Sequence, residues 1–371
     1  PVAPAALKTV SIVGNLDGSI LNPSVDLALG AAGAKVDAKG KISLLAISPT
    51  ADLKVRVRHG DLGRLMAVLS PGYRPSGKLG GLDLSAAAKG GADTLALTGL
   101  SGKIGTTTLA GAVRVNLAAA KPAVTADINL GDLKVSNFLP AQRAAFLPGA
   151  PAAPYGRPGI IPASWPAPAP IRSPFAAILA AIDARWSSAP IDLSALGLVN
   201  AGIKAKARSV SYEAYRVDNL DLVVNVKEGV LKTERLTGSL FGGALKVDAE
   251  VKSGLAPVIL TNLSVKGLDV GRAARAVTGK EAASGGLDFV ANLSTGGKSV
   301  AALVSTLAGA GSIALTRVNV KGDTKGMALG SLLGVVDGLN KLGGALGGRQ
   351  GNGLADLTGT FKIDKGVIRS D

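Results

Sequence analysis

The chain has 371 residues, 47% of them hydrophobic, with 41 Lys and Arg set against 26 Asp and Glu for a formal net charge of +15. It has no cysteine, which excludes disulfides and cysteine-ligated metals. Aromatic residues are only 3% of the whole. That is too few for the stacking platforms of single-strand binders, so nucleic acid is not an expected partner despite the charge, and Val, Leu, Ile and Ala must line whatever is buried.

From Lys8 to Leu139 the sequence reads as strand after strand. Lys54, Arg56 and Arg58 alternate with Leu53, Val55 and Val57, a period of two that puts charge on one face of a sheet and aliphatic side chains on the other. Val113 and Val115 follow the same rule. Asn15–Gly18 and Asp37–Gly40 are expected turns, because Asn, Asp and Gly tolerate hairpin backbone angles. Between Leu62 and Leu69 the apolar period lengthens, which predicts a short helix. Strands restart at Gly80-Gly81-Leu82-Asp83-Leu84. The basic residues do not cluster, so they read as a solvated exterior, with attraction to anionic lipid headgroups as their other use.

Ten of the nineteen prolines fall between Pro140 and Pro174, and proline removes the donors a sheet interior needs. This stretch is expected to be a rim insertion or linker, with Trp165 and Ile160-Ile161 available to a protein partner. Phe175 to Ile182 suggests a short amphipathic helix.

From Trp186 to Val251 alternation returns: Leu222, Val224 and Val226, then Leu245, Val247, Ala249 and Val251 against Lys246, Asp248, Glu250 and Lys252. Glu228-Gly229 and Gly242-Gly243 are the expected turns. Pro257 to Leu268 adds strand, and Val270 to Val277 a short helix. Ser299 to Thr316 is uncharged and long enough on paper to span a membrane, but Gly309 and Gly311 make it a short helix followed by a strand. Met327 to Leu346 carries leucines at three- and four-residue spacing, a helix with one apolar stripe. Phe361 to Ile368 reads as a final strand.

Two internal repeats run through this pattern. Leu100-Ser101-Gly102, Leu109, Pro122, Ile128, Leu130 and Leu133 recur in order as Leu236-Thr237-Gly238, Leu245, Pro257, Leu263, Val265 and Leu268, with a fainter copy from Pro49 to Leu62. Gly80-Gly81-Leu82-Asp83 recurs as Gly285-Gly286-Leu287-Asp288, each followed by a second glycine pair. Catalytic patterns are missing. The single histidine, His59, stands beside a glycine as a solvated turn residue, and no phosphate loop, zinc helix or dinucleotide turn has its required context. Neither an enzyme nor a cofactor is expected.

The order Trp186, Pro190-Ile191-Asp192-Leu193, Val217 to Leu222, Glu228-Gly229-Val230-Leu231, Gly238-Ser239-Leu240-Phe241-Gly242-Gly243, continued through Gly309-Ala310-Gly311 and Thr358 to Val367, resembles the C-terminal module of the bacterial AsmA family. The resemblance divides the chain into N-terminal β-groove repeats (1–139), the proline-rich insertion (140–174) and an AsmA-like β module with short helices (175–371). It implies a periplasmic protein tethered to the inner membrane by an N-terminal anchor outside this chain, which carries phospholipid towards the outer membrane and serves its assembly. The fold expected is mainly β, a long twisted antiparallel sheet forming an open groove with short helices at its ends and rim. Val55, Val57, Val113, Val115, Leu222, Val224, Val226, Leu245, Val247 and Val251 would line that groove against phospholipid acyl chains, with bacterial membranes as the partner. The competing expectation is a structural or adhesive surface protein whose aliphatic face is its own closed core.

Overall fold

The computed structural model describes residues 10–44, 49–69, 75–139, 186–279, 283–320 and 355–370. In chain order the elements are β1 (Val10–Ser19), β2 (Asn22–Ala31), β3 (Ala34–Ser43), β4 (Thr50–His59), α1 (Leu62–Leu69), β5 (Leu82–Gly91), β6 (Thr94–Ile104), β7 (Thr107–Asn116) and β8 (Ala123–Lys134). After the insertion come α2 (Ala195–Leu198), β9 (Asn200–Tyr212), β10 (Tyr215–Lys227), β11 (Val230–Leu240), β12 (Gly243–Lys252) and β13 (Val258–Asp269). The chain continues with α3 (Val270–Thr278), β14 (Ala283–Gly296), α4 (Val300–Ser305), β15 (Ala308–Val320), β16 (Ala355–Asp364) and β17 (Val367–Ser370).

All seventeen strands belong to one sheet. Each pairs with the next in sequence, β1 to β8 and β9 to β17, always antiparallel. The exception is the parallel junction of β8 with β9, from Ala123↔Asn200 to Lys134↔Ser211. Parallel neighbours need a long crossover, and residues 135–199 supply it. The sheet does not close into a barrel, so among the described strands β1 and β17 are its edges. The groove architecture expected from the sequence is therefore an open, mainly antiparallel sheet with one parallel seam.

Local chemistry explains most boundaries. The hairpin turns at Ala32-Gly33, Glu228-Gly229, Phe241-Gly242 and Lys365-Gly366 place two successive residues at positive φ, the turn whose twist matches paired strands. Helix α3 begins where the Asp269 side chain accepts from the Arg272 amide at 3.0 Å, and ends at left-handed Gly279. Ser299 caps α4 in the same way. Helix α1 spans the predicted residues, α3 nearly so.

Four turn and strand expectations need correction. Asn15–Gly18 lies inside β1, where Asn15 Nδ2 donates to Asp17 Oδ2 at 3.0 Å along one face, and the reversal falls at Ile20-Leu21. Asp37–Gly40 lies inside β3: Asp37 is held by Arg58 across the ladder, and a Cβ at Gly40 would overlap the Asp52 carbonyl oxygen. That glycine serves close strand approach rather than a turn. The β11–β12 reversal is Phe241-Gly242, with Gly243 already in strand. Phe361 to Ile368 is not one strand but a hairpin of β16 and β17. The predicted helices at Phe175–Ile182 and Met327–Leu346 and the proline-rich stretch fall outside the described residues.

The repeat copies occupy equivalent places. Gly102 faces Leu109 and Leu109 faces Leu130; Gly238 faces Leu245 and Leu245 faces Val265. Strands β4 and β13 each start after a proline and lead straight into a helix. The strand after that helix returns beside them, with Leu82 opposite His59 and Leu287 opposite Leu268. Around the second copy lies the main core, in which Val265, Leu268, Leu287, Leu315 and Val318 pack with Val270 and Ala273 of α3.

Candidate functional site

In an antiparallel ladder, directly opposed residues point to the same face, so pairing alone assigns faces across the sheet. Val55 opposes Ala38 and Ala86; Val57 opposes Val36 and Leu84. One strand pair further, Val113 and Val115 oppose Leu97 and Leu95, then Ala126 and Val124. Across the parallel seam Ala126 neighbours Ile203, which opposes Val224, with Leu222 and Val226 to either side on the same face. Val226 opposes Leu231, and Leu231 opposes Val251, which shares its face with Val247 and Leu245. All ten sequence-predicted positions therefore lie on one face of one continuous sheet.

The other face carries the charge. Arg56 reaches both carboxylate oxygens of Asp83 at 2.9 and 2.7 Å, Arg58 reaches Asp37 at 2.5 Å, Lys39 reaches Asp26 at 2.7 Å and Lys89 reaches Asp52 at 2.8 Å. The Arg56 guanidinium holds the Asp83 carboxyl below the usual carboxylate range, mainly through these hydrogen bonds. Exposed pairs of this kind add little stability. Their effect is to keep that face wet and its mate aliphatic.

Exposure on the aliphatic face varies from strand to strand. Ile12 on edge strand β1 is 69% exposed; Val25 on β2 and Ala38 on β3 are buried; Val55, Val57, Val113 and Val115 are half-buried; Val224, Val226 and Leu245 are buried. Beyond β12 the face is increasingly covered by the protein itself. Helix α3 caps it, Ala291 is fully buried, and the Phe289 and Phe361 rings stack at 5.6 Å. Gly311 between them makes this possible, because a Cβ there would collide with the Phe361 ring. The face is thus exposed on edge strand β1 and most fully covered towards β14–β16, where α3 and the stacked rings lie.

Polar groups on this face are satisfied internally. Thr107 Oγ1 donates to the Asp132 carbonyl at 2.8 Å, Ser209 Oγ donates to Asp132 Oδ1 at 2.7 Å, and Thr233 Oγ1 accepts from the Ala249 amide at 2.6 Å. No buried side-chain nitrogen or oxygen among the described residues lacks a partner.

The sequence misplaced His59. It is buried, not solvated: Nδ1 accepts from the Asp61 amide at 2.9 Å, which leaves the proton on Nε2 to donate to the Ala32 carbonyl at 3.1 Å. It ties the β2–β3 turn to the end of β4, and both ring nitrogens are used. The sequence also missed Asp132 on β8. Its carboxylate takes both guanidinium arms of Arg208 and the Ser209 hydroxyl from β9, with Arg216 of β10 3.9 Å away. These bonds hold its carboxyl below the ordinary range, Arg208 contributing most and Ser209 next. No local signal marks it, because its partners lie 76 and 77 residues away across the parallel seam.

Among the described residues no three His, Cys, Asp or Glu side chains gather as metal ligands would, and no helix is long and apolar enough to cross a membrane. In comparison with known proteins, the sequence model of the AsmA family matches residues 15–371. No curated protein and no solved structure matches.

Proposed function

Because the chain belongs to the AsmA family, we propose that it is a lipid-binding module of the bacterial envelope that shields phospholipid acyl chains on the aliphatic face of its sheet. The observation that carries this reading is the ten-position alignment. One register-linked face, aliphatic from β1 to β12 and backed by a charged one, offers hydrocarbon a continuous path. Each methylene removed from water contributes about 0.8 kcal/mol, and aliphatic contacts have no direction, so an acyl chain held there could slide between strands. Headgroups would stay in water at the strand ends.

The family supports a site of action in the periplasm, between inner and outer membranes, and a role in outer-membrane assembly. The module binds and conveys rather than catalyses. The test is to purify the chain from bacterial cells, extract it and look for phospholipid by mass spectrometry, then titrate it with a fluorescent acyl probe. Co-extracted phospholipid and saturable uptake support the reading. A lipid-free preparation that also refuses the probe would favour the adhesive, closed-core reading, which the sealed stretch at β13–β16 keeps in view.

A further inference from the structure

The charged face of the sheet is not uniform. Its lysines and arginines are spread along the sequence, but the register gathers those of β3 and β4 side by side. On β2 to β5 the carboxylates of Asp26, Asp37, Asp52 and Asp83 are already taken, by Lys39, Arg58, Lys89 and Arg56 in turn. Lys35, Lys41 and Lys54 on the same patch have no ion pair among the described residues, so a positive excess remains there. Lys54 stands in the middle of it. Its ladder neighbours are Lys39 on one side and Ala87 on the other, whereas Lys41 faces Asp52 and, on β9, Lys204 faces Asp127. Like charges directly opposite each other repel, and Asp26 answers only the Lys39 member of the pair.

Beside Lys54 the surface sinks into an open hollow of about 450 Å3, whose lining includes Lys39, Lys54, Arg56, Ser85, Thr98 and Gly99. Its cause is local. Ser85 and Ala87 are small, and β6 carries one residue more than β5 here, with Gly99-Leu100 answering to Ala86 alone. Gly99 takes the left-handed backbone at φ 58°, and a Cβ placed there would meet nothing within 4 Å.

We propose that this hollow binds a phosphate group, with Lys54 as the main counter-charge. Spare donors surround the place. Lys39 spends one of its three protons on Asp26 at 2.7 Å, and Arg56 spends Nε and one terminal nitrogen on Asp83 at 2.9 and 2.7 Å, which leaves its other terminal nitrogen unused. The Thr98 hydroxyl has no hydrogen bond among the described residues, and the Ser85 hydroxyl has only the Ser101 hydroxyl at 3.2 Å and the Ser101 carbonyl at 3.4 Å. Asp37 also lines the hollow, but its carboxylate is held by Arg58. A phosphate suits this set better than a carboxylate does, because it brings more acceptor oxygens and up to two negative charges to donors that come from three strands. Seated between Lys39 and Lys54, it would also relieve their repulsion. The volume leaves room for the group that carries the phosphate, and that group comes from the solvent side, away from the aliphatic face. Because the hollow is open, binding weakens as salt rises.

Isothermal titration of the full chain at low salt tests the site, with inorganic phosphate as one probe and glycerophosphoglycerol, the soluble headgroup of phosphatidylglycerol, as the other. The expected result is saturable phosphate binding by the native chain, weakened about tenfold or more in Lys54→Gln and severalfold in Thr98→Val. Lys204→Gln, which removes another lysine without an ion pair, should bind as the native chain does. Lys54 and Lys204 are both exposed, so neither substitution disturbs folding. Equal affinity for the diester would support the site and assign it to a lipid headgroup; phosphate bound and the diester refused would support it and assign it to a phosphorylated solute. No saturable binding of either probe, native-like binding by Lys54→Gln, or an equal loss in Lys204→Gln would overturn the proposal, the last by assigning binding to net charge alone. The acyl-binding reading concerns the opposite face, and its probe is not read by this titration.

Discussion

Single residues in this protein act mostly through what they leave room for. Gly40 sits mid-strand where any Cβ would overlap the Asp52 carbonyl oxygen. Gly40→Ala should therefore destabilise the chain by about 2 kcal/mol or more, the range of severe backbone clashes, read as a lower urea midpoint at unchanged slope. The sequence offered that glycine as a turn, since Asp-Ala-Lys-Gly has hairpin composition and only the position of β4 shows its other use. His59 was misread for a similar reason. Its partners are the backbone of Ala32 and Asp61, and a carbonyl brought in by a neighbouring hairpin leaves no trace in side-chain spacing. Alternation was the legible part at this scale, because period two needs nothing beyond the strand itself.

Elements were legible where their causes were local. Helix α1 shows in the lengthened period from Leu62 to Leu69 and α3 in the run Val270 to Val277, although the Asp269 cap that starts α3 was seen only in the structure. The seam between β8 and β9 was not, because it joins segments on either side of the insertion. Its clamp makes a pH prediction. The Asp132 carboxyl is held below its usual range, chiefly by Arg208 and then Ser209, so the folded state favours the carboxylate. The stabilisation is fully present above the ordinary, unfolded-state carboxylate range and is lost as pH falls through the lowered folded-state value. Asp132→Asn should weaken the native fold at neutral pH and flatten the acid limb of its stability curve. Urea midpoints measured from pH 7 downwards check this: an acid limb as steep in the variant as in the native chain would assign that limb to other carboxylates.

For the whole molecule, the question is which stretch of the aliphatic face takes up hydrocarbon. Val224 and Leu245 are buried by the protein's own packing, so a carboxylate there would cost stability before it reported on a guest. Val55 and Val113 are half-buried. The double variant Val55→Asp/Val113→Asp should keep its circular-dichroism spectrum and lose most uptake of the acyl probe, whereas native-like uptake would move the guest away from these strands. That all ten positions would share a face could be foreseen strand by strand. That one end of the face would be sealed could not, since it depends on α3 folding back and on Gly311 admitting a ring from β16.

The parallel seam also has a practical consequence. Because β8 and β9 are joined in sequence through residues 135–199 yet hydrogen-bonded side by side, the polypeptide could be severed within residues 140–185 without breaking any ladder of the described strands. Two separately expressed pieces, 1–139 and 186–371, would each present half of a matched zipper, Asp132 on one and Arg208 with Ser209 on the other. On mixing they should recombine into a heterodimer, measurable by co-elution, and Asp132→Asn in the first piece should weaken it. This seam would then serve as the natural cut for building split reporters of the fold.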